Sequence, residues 1–149
     1  MITHPDFEEL LQLFEKNDVN YLIVGGYAVA FHGYPRFTKD IDLFYEKTDQ
    51  NIAKIREVLV DFGFSESDLP DDLFQEEGNI IKFGVEPVRI DLLNQIDGVS
   101  FKEADAGSVL GQFGDAKARF IGRAELIANK RSSGRPQDVV DADRLEGSD

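Results

Sequence analysis

The sequence contains no cysteine, so disulfides, thiolate metal sites and a thiol nucleophile are all excluded. No stretch approaches the roughly 18 consecutive apolar residues needed to span a bilayer. The opening residues Met1-Ile2-Thr3-His4-Pro5-Asp6 carry neither a basic n-region nor an apolar core, so no signal peptide is visible. The expectation is a cytoplasmic protein with no membrane partner. Neither GxGxxG nor GxxxxGK[ST] occurs, which leaves Rossmann and P-loop chemistry without support. No internal repeat is present. Basic residues are scarce: 16 Lys and Arg stand against 29 Asp and Glu, for a net charge of −13. That balance disfavours broad, nonspecific binding to nucleic acid.

What is present fits one globular domain over residues 1–149. A chain of 149 residues can bury a sizeable core, and 42% hydrophobic with 30% charged residues is ordinary for a soluble protein. The charge is uneven. Between Asp115 and Arg135 the bases Lys117, Arg119, Arg123, Lys130, Arg131 and Arg135 face only Asp115 and Glu125. This segment reads either as a local anion site beside an acidic body or as a solvated surface with clustered charge.

Hydrophobic spacing gives the order of elements. Phe7 to Phe14 has one apolar helical face, with Asp6 after Pro5 as its expected N-cap. Tyr21 to Val24 reads as a buried strand ended by Gly25-Gly26. Tyr27 to His32 reads as a short helix stopped by Gly33, and His32 is read as capping its terminal carbonyls in preference to a catalytic role. Ile41 to Tyr45 is a second strand, and Gln50 to Phe62 an amphipathic helix with Ile52, Ile55, Leu59 and Phe62 on one face. Ser65 to Gly78 is acidic and loop-like. Asn79 to Phe83 and Val88 to Leu93 form a hairpin around Gly84-Val85-Glu86-Pro87. A strand over Ala116 to Ile121 and helices over Glu125 to Lys130 and Pro136 to Leu145 follow, and residues 147–149 are expected to fray. This alternation predicts an α/β or α+β domain, a mixed sheet flanked by helices.

The strongest chemical signal is Asp40-Ile41-Asp42-Leu43-Phe44. Residues two apart on a strand project to the same face, with Cα atoms roughly 6.5 Å apart. Asp40 and Asp42 therefore aim two carboxylates at one region while Ile41 and Leu43 enter the core. Like charges so placed are costly unless protonated or neutralised. Hard oxygen donors suit Mg²⁺ or Mn²⁺. A solvated strand face is the alternative, since Asp-x-Asp is common. Asp91 lies inside the apolar run Val88 to Leu93, with Val88, Ile90 and Leu92 on one face and Arg89, Asp91 and Leu93 on the other. An acid there needs a partner or a metal. It is either ion-paired to a nearby Arg or Lys, or the third carboxylate of a two-metal site.

Gly25-Gly26 falls between a strand and a helix. Glycine lets a backbone approach a phosphate, and the following helix start offers free N–H groups. A simple tight turn remains the alternative.

Gly25-Gly26 followed by Asp40-Ile41-Asp42 resembles the polymerase-beta-like nucleotidyltransferase superfamily: a Gly-Gly or Gly-Ser turn, a short helix, then Asp-x-Asp on the next strand. The stretch Val24 to Leu43 looks like its minimal bacterial branch, which includes AbiEii-type toxins. The tail Lys130 to Asp141 is similar to that branch's closing Lys…Arg-x-x-Asp-x-x-Asp motif. The likeness runs from about Tyr21 to Leu145. It implies that Gly25 and Gly26 cradle a triphosphate and that Asp40 and Asp42 bind both metals, Mg²⁺ or Mn²⁺. It further implies that Asp91 holds the metal serving the acceptor hydroxyl, that Lys130 reaches the triphosphate, and that Asp138 orients that lysine. Arg36 and Thr38 would contact phosphate. The implied partners are an NTP, an acceptor that is RNA, protein or a small molecule, and an antitoxin protein.

Three functions compete on these grounds. The first is an active, magnesium-dependent nucleotidyltransferase. The second is a catalytically silent binding or regulatory subunit that keeps the fold. The third, a sugar-nucleotide transferase with Asp-x-Asp, usually needs a longer nucleotide-binding domain. The presence of all three acids favours the first.

Overall fold

The computed structural model describes residues 3–35, 38–84 and 88–147. Arg36, the Val85-Glu86-Pro87 part of the expected hairpin turn, and the terminal Ser148 and Asp149 lie outside the described residues. The described elements are α1 (Pro5–Lys16), β1 (Tyr21–Val24), α2 (Gly25–Phe31), β2 (Asp40–Tyr45), α3 (Asp49–Phe62), α4 (Asp71–Gln75), β3 (Ile80–Phe83), β4 (Arg89–Leu93), α5 (Phe101–Ala106), β5 (Val109–Phe113), β6 (Ala116–Phe120), α6 (Arg123–Ser133) and α7 (Pro136–Glu146). The strands form one sheet in the order β3-β4-β2-β1-β6-β5. It is mixed: β1/β2, β3/β4 and β5/β6 are antiparallel, whereas β2/β4 and β1/β6 are parallel. The expected α/β fold with helices flanking a mixed sheet is therefore what the chain adopts.

Strand alternation divides the core in two. Tyr21, Ile23, Ile41, Leu43, Ile90 and Leu92 turn toward α1 and α3 and form the larger cluster with Phe7, Phe14, Ile55 and Leu59. Leu22, Val24 and Phe44 turn to the opposite face and pack with Ala28, Leu126 and Leu145. Asp42 pairs with Val24, and Phe44 with Leu22, so the acids of β2 lie on this second face. The smaller cluster covers only part of it, and the acids sit where that apolar cover ends.

Several local expectations were displaced. The N-cap of α1 is His4, whose Nδ1 accepts the Asp6 N–H at 3.1 Å, not Asp6. Pro5 takes the first helical position, where its missing N–H costs nothing, and this moves the cap one residue back. His32 does end α2, but its ring Nε2 donates to the Ile121 carbonyl at 2.8 Å rather than to its own helix. Part of the acidic stretch after Ser65 is helical, as α4. Both α5 and β5 lay outside the elements expected from spacing. The start of α5 was signalled by Ser100-Phe101-Lys102-Glu103, a full capping box in the structure. β5 was obscured by Gly111 in its centre. A Cβ there would come within 2.4 Å of the Phe31 ring, which stacks on Phe120 at 3.9 Å between centroids. The glycine makes room for that aromatic pair.

Candidate active site

The parallel register of β2 and β4 builds the site. Asp40 lies opposite Arg89, and Asp42 lies opposite Asp91. All four side chains share the second face, because their apolar neighbours Ile41, Leu43, Ile90 and Leu92 are buried in the first. Three carboxylates and one guanidinium thus occupy adjacent ladder positions. Arg89 Nη2 donates to Asp40 Oδ2 at 2.7 Å, while its Nε and Nη2 each lie 3.2 Å from an Asp91 oxygen. Of the two readings of Asp91, the ion pair is the one seen, with Asp42 opposite it on the ladder. Asp40 Oδ1 is buried and accepts no hydrogen bond.

Asp42 carries the electrostatic strain of this arrangement. Burial raises its pKa first; the charge and hydrogen bonding of Asp91 and the charge of Asp40 add to this, against a smaller opposing pull from Arg89. Together they push it up to about 7. An acid whose folded pKa exceeds its unfolded value of 3.8 stabilises the fold fully below that value, and this contribution is lost as pH rises through about 7. Chelator-treated protein should accordingly lose stability between about pH 4 and 7 relative to Asp42→Asn, on the order of 1.4 kcal/mol per unit at most. Urea unfolding of both proteins at stepped pH checks this; parallel profiles would refute the placement of a strained acid at Asp42.

The glycine turn approaches the same carboxylate. Gly25 adopts φ +70°, and a Cβ on it would fall 2.1 Å from Asp42 Oδ2. Only glycine admits both the left-handed backbone and the carboxylate's approach. Gly26 packs against Thr38, whose Oγ1 would lie 3.1 Å from a Cβ at that position. The Thr38 hydroxyl donates to the Asp40 carbonyl at 3.2 Å.

Helices α6 and α7 bring the distant tail to the acids. Lys130 is buried, with Nζ 3.1 Å from Asp138 Oδ1 and 3.2 Å from Asp141 Oδ2. Burial would raise the Asp138 carboxyl, but hydrogen bonds from Ser133, Lys130 and Arg135 outweigh it and hold the group below its ordinary range. Gly25, Asp42, Asp91, Lys130, Arg135 and Asp138 line one cleft of about 380 Å³, with Lys82 and Gln95 on its β3–β4 side. The structure thus gathers five of the expected residues around one cleft. Asp40, Gly26 and Thr38 do not line it: Arg89 joins Asp40 to Asp91, Gly26 packs against Thr38 beside the Gly25 turn, and Arg36 lies outside the described residues.

Spacing alone had not singled out Arg89, Lys82 or Ser133, and Asp141 had entered as the last acid of the closing motif, without a role. Arg89 had a signal, since it shares the Asp91 face. Lys82 is the Asp91 partner on the antiparallel β3, a pairing that only the hairpin register reveals.

The donor set fits a divalent cation. The ligating atoms would be hard carboxylate oxygens from two neighbouring strands, and one of them, Asp40 Oδ1, is buried without a partner. Among the described residues, no three acidic or histidine side chains close around a point that could hold an ion as the site stands. Arg89 occupies the space between Asp40 and Asp91.

Known proteins resemble the chain in sequence and in fold. A family model described as nucleotidyl transferase AbiEii toxin, type IV toxin–antitoxin system, matches residues 13–145. No curated protein sequence matches the chain. Among solved structures, a Thermotoga maritima protein described as a nucleotidyltransferase shares 12% identity, with a TM-score of 0.62 over 97% of this chain and 93% of that one. ANT(2″)-Ia in complex with adenylyl-2″-tobramycin shares 14% identity, with a TM-score of 0.58 over 93% of this chain and 84% of that one. The solution structure of the same antibiotic-resistance factor gives a TM-score of 0.58 at 14% identity, over 94% and 80% of the two chains. At such identities the likeness concerns the fold, whereas the family model spans nearly the whole sequence. The chain belongs to the AbiEii family of nucleotidyl transferase toxins.

Proposed function

We propose that this chain transfers a nucleotidyl group from an NTP to a hydroxyl acceptor, and that Asp40, Asp42 and Asp91 hold Mg²⁺ or Mn²⁺ for the reaction. The observation that carries the reading is the β2/β4 register, which sets Asp42 directly opposite Asp91 with Asp40 on the same face. Bound there, divalent ions would neutralise phosphate charge and lower the pKa of the attacking hydroxyl. The acceptor oxygen forms a bond to the α-phosphorus, the bond from that phosphorus to the α–β bridging oxygen breaks, and pyrophosphate leaves. In this reading Asp91 takes the hydroxyl proton. Gly25 and Gly26 present bare backbone to the triphosphate. Lys130 and Arg135 offer positive charge from the cleft's far wall, and Asp138 and Asp141 fix the lysine in place.

Family membership supports a nucleotide as substrate, an antitoxin protein as partner and a toxin role. The fold shared with a protein captured with adenylyl-2″-tobramycin supports a hydroxyl as the acceptor group. The acceptor belongs to RNA, protein or a small molecule. No described helix is long and apolar enough to cross a membrane.

Each α-³²P-labelled NTP, incubated with the protein, a cell extract and Mg²⁺, tests the reading. Label should move to one macromolecular or small-molecule fraction with release of pyrophosphate. Absence of transfer from all four nucleotides, together with NTP binding by calorimetry, would support a silent binding subunit instead.

A further inference from the structure

Four side chains meet where β2 and β4 run side by side, and one of them is a cation. Arg89 faces Asp40 across the ladder and precedes Asp91 by two residues, so all three project from the same face. Its guanidinium spans the two acids, 2.7 Å from Asp40 and 3.2 Å from Asp91. A planar group with several donors can bridge two carboxylates in this way, which an ammonium cannot do as well. Arg89 keeps 29% of its side-chain surface exposed, whereas the Asp91 side chain keeps 9%. The arginine therefore lies nearer the solvent than the acid beneath it.

We propose that Arg89 is the resident counter-cation of this acidic face, and that it must leave Asp40 and Asp91 before a divalent ion can be held there. The inference rests on the reading of these acids as metal ligands. Two physical demands conflict at the site. Three carboxylates on neighbouring strands repel one another in the metal-free protein. The docked guanidinium relieves this and keeps the acids in place while no ion is present. The same guanidinium uses the oxygens an ion would need, and two cations cannot share that space. Metal affinity is then reduced by the fraction of molecules whose arginine is undocked. An arm docked about 90% of the time weakens apparent affinity about tenfold. Arg89 is thus a positioning residue that sets the metal concentration at which the site loads. An incoming nucleotide that carries its own ion would meet the same arm.

The test measures binding rather than turnover. Mn²⁺ and Mg²⁺ are titrated calorimetrically, without nucleotide, into the wild-type chain, Arg89→Gln and Arg89→Lys. Arg89→Gln should bind Mn²⁺ about tenfold more tightly, with Arg89→Lys intermediate because a point charge bridges poorly. Metal-free Arg89→Gln should melt below wild type, and saturating Mg²⁺ should abolish that deficit. In ¹⁵N NMR of the wild-type chain, the Arg89 Nε–H signal should shift and exchange faster with water as Mg²⁺ saturates. Equal or weaker Mn²⁺ binding by Arg89→Gln would overturn the proposal, as would an Nε–H signal unmoved at saturating Mg²⁺; either marks Arg89 as a permanent brace. Wild-type affinity in Arg89→Lys would overturn it too, since net charge alone would then set affinity. If Arg89→Gln does not fold, the wild-type Nε–H titration decides. If no protein in the series binds either ion, the metal-ligand reading falls and this proposal with it, whereas metal binding indifferent to Arg89 removes this proposal alone.

Discussion

Asp42→Asn is expected to lower nucleotidyl transfer by about a thousandfold or more, equivalent to roughly 4 kcal/mol of barrier, while leaving the fold intact. Asp42 stands at the centre of the acidic face, opposite Asp91, beside Asp40 and against the Gly25 turn. Asparagine keeps its size and one oxygen but removes the charge that would draw a cation. The same change relieves a group whose pKa burial and neighbouring acids have pushed up to about 7. Near neutral pH the metal-free variant should therefore be at least as stable as wild type, because a buried like-charge contact disappears. Activity and stability thus move in opposite directions, which separates a functional acid from a structural one. Asp40→Asn should lose transfer as well, but it also strips Arg89 of its 2.7 Å ion pair, so its stability gain should be smaller. Single-turnover label transfer together with chelated urea unfolding reads both effects. Wild-type transfer by Asp42→Asn would remove the acids from the chemistry.

Lys130→Met should destabilise the chain by about 3–5 kcal/mol. Lys130 is only 8% exposed and is held between Asp138 and Asp141, of which Asp141 is 1% exposed. Removing the ammonium leaves Asp138 its bonds from Ser133 and Arg135 and Asp141 its bond from Gln137, but takes from two buried carboxylates the one cation they share. At this chain length a loss of that size lowers Tm by about 10 °C. Lys130→Met combined with Asp138→Asn and Asp141→Asn should recover most of the loss, because a buried ionic cluster removed whole leaves no orphan charge. The triple variant should still bind NTP more weakly than wild type if the Lys130 ammonium itself donates to phosphate oxygens, even though Arg135 remains on that wall. Denaturant unfolding gives the first comparison and calorimetry the second. A change under 1 kcal/mol in Lys130→Met would mean the cluster is not the buried lock seen here.

Periodicity gave most of the elements. The alternation in Asp40-Ile41-Asp42-Leu43 and in Val88 to Leu93 is a local property of strands, so the side on which each acid falls could be read directly. The hairpin of β3 and β4 was equally local. Errors came where tertiary contacts outweighed local preference: β5 tolerates Gly111 only because Phe31 and Phe120 fill the space beside it.

The sequence by itself determined which residues are acidic, which of them share a strand face, and where a glycine turn and a basic tail lie along the chain. Those facts follow from strand period and residue chemistry, which do not depend on distant partners. Only the tertiary structure decided that β2 and β4 run parallel with Asp42 opposite Asp91, that Arg89 spans two of the three acids, and that Lys130 is buried between Asp138 and Asp141. Strand register depends on how two segments some fifty residues apart bury their apolar faces together, and no local pattern encodes that distance. The same residues read as solvated charge along the chain become a strained acidic face and a buried ionic lock once the sheet and its last two helices enclose them.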